Sequence, residues 1–79
     1  MQPLVLYYAR NCPYSQKVLH FLKKLPINIA LKDISQDLNA KNKLLKIGGK
    51  IQVPCLVIDG KALYESDEII KWLTNHLLT

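Results

Sequence analysis

No apolar run in the chain exceeds the seven residues from Pro3 to Ala9, well short of the roughly 18–20 residues a helix needs to cross a bilayer. No basic leader with a long apolar stretch precedes that run, so the expectation is a cytoplasmic protein with no membrane partner. Cysteine is scarce: Cys12 and Cys55 are the only two. They are too few for a disulfide-stapled scaffold and too far apart for the paired spacing of structural zinc sites, and the isolated imidazoles of His20 and His76 add no metal site. Arginine is scarcer still, since Arg10 is the single Arg among eleven basic residues. The net charge of +5 is therefore carried by scattered lysines, without the basic stripe and interleaved aromatics that mark a nucleic-acid surface. Repeats, low-complexity tracts and linkers are absent as well. With 79 residues, 49% of them apolar, the chain reads as one domain spanning 1–79, small, core-stabilised and monomeric.

What is present is a regular alternation of elements. Leu4 to Tyr8 is a short apolar run that suits a strand buried on both faces. Val18, Phe21, Leu22 and Leu25 recur at helical spacing, with Pro13 in the first turn and Pro26 beyond the last. A second strand is expected at about Ile27 to Ile34. Ser35 or Asp37 then caps a helix reaching Ile47, which Gly48 and Gly49 stop. Cys55 to Tyr64 carries Asp59-Gly60 at its centre, a hairpin signal. Ser66 caps a last helix, with Asp67 and Glu68 in its positive first turn and Ile69, Ile70, Leu73 and Leu77 facing inward. The expected fold is α/β, in the order β-α-β-α-β-β-α, with a four-stranded mixed sheet flanked by helices.

Cys12 falls between the first strand and the first helix. A thiol there meets unpaired backbone N–H groups and the positive end of the helix dipole, both of which favour the thiolate that attacks disulfides. Arg10, two residues upstream, is expected to add to that effect. Ser15 either donates a hydrogen bond to the thiolate or serves only as a local cap.

Cys12-Pro13-Tyr14-Ser15 after the first strand, Val53-Pro54 before the third, and Ser66-Asp67 opening the last helix together resemble a glutaredoxin, over nearly the whole chain. The resemblance implies a thioredoxin fold and a glutathione-dependent thiol–disulfide oxidoreductase. In that family the motif usually ends in a second cysteine, and here Ser15 stands in its place. The implied chemistry is therefore monothiol: Cys12 attacks a glutathionylated protein, forms a mixed disulfide with glutathione, and is released by a second glutathione.

The same resemblance assigns the rest of the site. Tyr14 walls the sulfur and packs on the ligand. Val53, before a cis Pro54, presents its backbone to the cysteinyl part of glutathione, with Gln52 where the family often has Thr. Ser66 and Asp67, with Glu65 assisting, take the glutamyl end. The glycyl carboxylate needs a cation, and Lys46 or Lys50, from a lysine block with no acid between positions 41 and 50, is the expected partner; the family commonly has a Lys where this chain has Ala9, which leaves Arg10 as a displaced substitute at best. Cys55 reads either as a core thiol or as a displaced resolving partner for Cys12.

Two further resemblances compete. Tyr64 to Leu73 looks as much like the end of a glutathione transferase N-terminal domain as like a glutaredoxin, although no all-helical second domain follows. Single-cysteine members of the family can also share a [2Fe–2S] cluster across a dimer, usually with Gly-Phe where this chain has Pro13-Tyr14. A non-catalytic binding or adaptor domain is the remaining alternative.

Overall fold

The protein is described by a computed structural model covering residues 4–26 and 28–77. Its elements are β1 (Leu4–Tyr8), α1 (Pro13–Leu22), β2 (Ala30–Asp33), α2 (Leu38–Gly48), β3 (Cys55–Ile58), β4 (Lys61–Tyr64) and α3 (Ser66–Leu77). The strands form one sheet in the order β2-β1-β3-β4. β1 is parallel to β2 and antiparallel to β3, and β3 is antiparallel to β4.

Strand alternation divides the core into two layers. Leu6 and Leu56, opposite each other in the ladder, point to the face covered by α1 and α3 and pack there with Val18, Leu25, Ile69 and Leu73. Tyr7, Cys55 and Val57 point the other way and pack under Ala40 and Leu44 of α2. β1 thus supplies both layers from adjacent residues, which is why it reads as an unbroken apolar run.

Several boundaries differ from the sequence reading. α1 ends at Leu22 rather than near Pro26, and the chain tightens through three-residue bonds from Lys24 N–H to Phe21 O and Leu25 N–H to Leu22 O. Leu25 still reaches the core, at 8% exposure. β2 is shorter than expected because its ladder with β1 begins at Val5 opposite Ala30; Ile27 lies outside the described residues. Of the two candidate caps for α2, Asp37 is the one used, accepting from Ala40 N–H at 3.2 Å, while Ser35 bonds Asp33 instead. Gly49 ends α2 with φ +79°. Asp59 and Gly60 turn the hairpin with φ of 50° and 82°, as a tight primed turn requires. Among the described residues, no helix is long and apolar enough to cross a membrane.

Candidate active site

Cys12 is the N-cap of α1, with extended backbone (φ −90°, ψ 120°) and Pro13 at the first helical position. Pro13 has no N–H to offer, so the donors turned toward the sulfur are those of Tyr14 and Ser15. Burial works against ionisation of Cys12, but the Ser15 N–H and hydroxyl and the Tyr14 N–H outweigh it, leaving the thiol below its ordinary value. Ser15 is fully buried, and its hydroxyl oxygen also accepts from Ala9 N–H at 3.3 Å. The Ser15 hydroxyl thus bonds the strand end and does not cap a backbone group of α1. It ties the strand end to the helix start and polarises the sulfur.

The Cys12 sulfur points toward β3, with Sγ 3.9 Å from Val53 O. The Val53–Pro54 bond is cis. Beside it opens a cleft of about 400 Å³. Tyr14 of α1 lines one side, Gln52, Val53 and Pro54 another, and Glu65, Ser66 and Asp67 the start of α3. Tyr14 is 66% exposed, so its ring is a wall of the cleft and not a core side chain.

α3 begins differently from the sequence reading. Glu65, in the left-handed region at φ 72°, holds the cap position, and its carbonyl accepts from Ile69 N–H at 3.0 Å. Ser66 is therefore the first helical residue, not the cap. The left-handed residue sets the turn into α3, and Ser66 and Asp67 at the start of the helix line the cleft. Glu65 in turn accepts from Gln52 Nε2 at 3.1 Å, and Asp67 pairs with Lys17 of α1. Neither Gln52 nor Lys17 is assigned a site role by the sequence. Their partners lie thirteen and fifty positions away, and no local pattern marks such pairs.

Other expected groups lie elsewhere. Lys46 is exposed in the last turn of α2. Lys50 places its Nζ 4.4 Å from the centre of the Tyr64 ring, and neither lysine lines the cleft. Arg10 does not assist Cys12 but pairs with Asp33 at the end of β2, Nε to Oδ2 3.7 Å. Cys55 is fully buried on the α2 face between Tyr7 and Tyr64. Both cysteines are free thiols. Burial pushes the Cys55 thiol up despite opposing contributions from the Leu63 backbone, the Tyr64 hydroxyl and Lys50.

Comparison with known proteins agrees with the fold. A point mutant of the thioredoxin-like protein BC3987 is 29% identical over 99% of this chain and 96% of its own, with a TM-score of 0.80. An epsilon-class glutathione S-transferase from the housefly Musca domestica is 31% identical over 94% of this chain and 35% of its own, TM-score 0.74. Oxidised glutaredoxin 2 from Chlamydomonas reinhardtii is 26% identical over 98% of this chain and 76% of its own, TM-score 0.68. The chain thus has a thioredoxin-like fold and spans about a third of the transferase. A search of curated protein sequences found no match. Residues 6–76 match the family model described as glutathione S-transferase, N-terminal domain, and the chain belongs to that family.

Proposed function

We propose that this protein is a glutathione-dependent thiol–disulfide oxidoreductase that reduces protein–glutathione mixed disulfides through Cys12 alone. The observation that carries the reading is the pairing of a thiol held below its ordinary value at the start of α1 with a cleft that ends at the start of α3. A tripeptide thiol fits that span chemically. Its glutamyl carboxylate meets the Ser66 and Asp67 N–H groups, its ammonium meets the Asp67 carboxylate in place of Lys17, and its cysteinyl backbone pairs with Val53 as an added strand. Lys50 takes the glycyl carboxylate only by leaving the Tyr64 ring.

The reaction balances without an outside oxidant. The Cys12 thiolate attacks the glutathione sulfur of the mixed disulfide, the protein leaves as a thiolate, and a Cys12–glutathione disulfide forms. A second glutathione thiolate then attacks the bound glutathione sulfur, releasing oxidised glutathione and restoring the Cys12 thiolate. Ser15 offers no second sulfur for a local disulfide, which favours this two-step exchange. On the same reading the protein works in a reducing compartment, the cytoplasm, and acts on glutathionylated proteins as a monomer.

Intact mass after brief exposure to oxidised glutathione tests it. One glutathione adduct, lost in Cys12→Ser and kept in Cys55→Ser, together with turnover of a glutathionylated peptide by reduced glutathione, is the expected result. Loss of two hydrogens, abolished by either substitution, would mean a Cys12–Cys55 disulfide. An unreactive Cys12 would leave a non-catalytic glutathione-binding domain, a reading favoured by the match to the transferase N-terminal domain. A brown protein on anaerobic purification would point instead to a shared [2Fe–2S] cluster.

A further inference from the structure

The loop joining β1 to α1 sends two side chains in opposite directions. β1 lies between β2 and β3. Cys12 turns toward Val53, just before β3, whereas Arg10 turns toward Asp33 on β2. A cation two residues from a reactive thiol would ordinarily be counted among the groups that stabilise its thiolate, and here that cation faces Asp33 instead.

Asp33 is built into its place. It lies opposite Tyr8 in the parallel ladder, and Ile34 N–H closes onto Tyr8 O at 2.9 Å. Its side chain is 12% exposed. One carboxylate oxygen, Oδ1, accepts from the Ser35 N–H at 2.9 Å and from the Ser35 hydroxyl. The other, Oδ2, is buried with no hydrogen-bond partner among the described residues. A buried, unbonded carboxylate oxygen is costly unless a cation faces it, and the cation facing this one is the Arg10 guanidinium. The Arg10 backbone is pinned from the other side, since Gln16 Nε2 donates to Arg10 O at 2.7 Å.

We propose that Asp33 is a positioning residue that holds the Arg10 guanidinium on the β2 side of the reactive loop, so that the start of α1 alone stabilises the Cys12 thiolate. This rests on Cys12 being the nucleophile. The Asp33 carboxyl is held below the usual range, first by the Ser35 hydroxyl, with burial opposing and the Ser35 N–H, the Arg10 charge and the Arg10 N–H assisting. The other charged groups at this end are already engaged: Lys17 with Asp67, Glu65 with Gln52, and Lys50 with the Tyr64 ring.

The test is a two-by-two comparison of wild type, Arg10→Gln, Asp33→Asn and the double variant. The readout is the pH profile of Cys12 alkylation by iodoacetamide, followed by peptide mass in the full chain without glutathione. Arg10→Gln alone should leave the Cys12 midpoint within about 0.1 pH unit of wild type. Asp33→Asn should lower it by about half a pH unit, a roughly threefold faster alkylation at a pH below the midpoint, as expected for a screened charge released near the sulfur. Adding Arg10→Gln to Asp33→Asn should restore the original midpoint. The proposal is overturned if Arg10→Gln alone raises the midpoint as much as it does beside Asp33→Asn, or if Asp33→Asn lowers it equally with and without Arg10. Arg10 is exposed, so its single variant tests the first statement even if Asp33→Asn folds poorly. Because no glutathione is present, this outcome and that of the deglutathionylation test are independent.

Discussion

At Cys12 and Cys55 the same thiol group is pushed in opposite directions by its surroundings, burial winning at Cys55 and hydrogen bonds from Ser15 and Tyr14 at Cys12. For Cys12 the folded value lies below the unfolded one. Its contribution to stability is lost as pH falls through the folded value and is complete above the unfolded value near 8.5, roughly. For Cys55 the folded value is raised, so the unfolded chain releases its proton first and stability falls as pH climbs past about 8.5. Denaturant titrations at pH 7.5 and 9.5 should show a less favourable change in stability for the wild type than for Cys55→Ala, since the opposing Cys12 contribution is common to both. Tyr7 and Tyr64, also raised by burial, extend the loss to higher pH in both proteins. Ser15→Ala should raise the Cys12 midpoint and cost about 1–2 kcal/mol, because Ala9 N–H loses its buried acceptor; alkylation profiles and urea melts check the two effects separately. The place of Cys12 at the head of α1 and the cis Val53–Pro54 bond are legible in the sequence because each is written in two to four consecutive residues. The Arg10–Asp33 and Lys17–Asp67 pairs are not, since only the packed sheet and helices bring those partners together. Lys46 and Lys50 are singled out in the sequence by their place in a charge block, which says nothing about the direction in which a side chain extends.

At the scale of elements, α2 and β4 meet where a side chain is missing. Gly48 lies so close to Tyr64 that an added Cβ would overlap the ring's Oη and sit 2.9 Å from its Cζ. The Tyr64 ring is held over this spot by the Lys50 ammonium and by its hydroxyl donating to Lys50 O at 3.4 Å. Gly48→Ala should therefore destabilise the protein by about 1–3 kcal/mol, as overpacking does, and the cost should shrink beside Tyr64→Leu; paired thermal melts would show it. The sequence marks Gly48 and Gly49 only as a stop signal. Gly49 fits that reading through its positive φ, whereas the need for glycine at position 48 comes from a neighbour sixteen residues on. Element order is legible throughout because apolar periodicity changes sharply at each junction. The ends of α1 and β2 are not, since pairing and packing against the rest of the sheet decide them.

Across the whole molecule, the sheet is shared by two apolar layers, one on each of its faces. Leu6 and Leu56 serve one layer while the adjacent Tyr7 and Cys55 serve the other, so neither layer can melt without disturbing the strands of its neighbour. Leu44→Ala, on the buried face of α2, should cost about 2–5 kcal/mol. It should shift the unfolding midpoint reported by Trp72 fluorescence, from the opposite layer, as much as the midpoint reported by far-ultraviolet circular dichroism. Separate midpoints would show that the layers unfold independently. The left-handed Glu65 at the head of α3 bears on the same global stability. A non-glycine residue there carries about 1–2 kcal/mol of backbone strain, which Glu65→Gly would relieve while removing the side chain that Gln52 holds. The variant should outlast the wild type in thermal melts and, on the proposed function, bind glutathione less tightly in calorimetry. At this position, durability of the fold and the proposed hold on glutathione would stand in direct opposition.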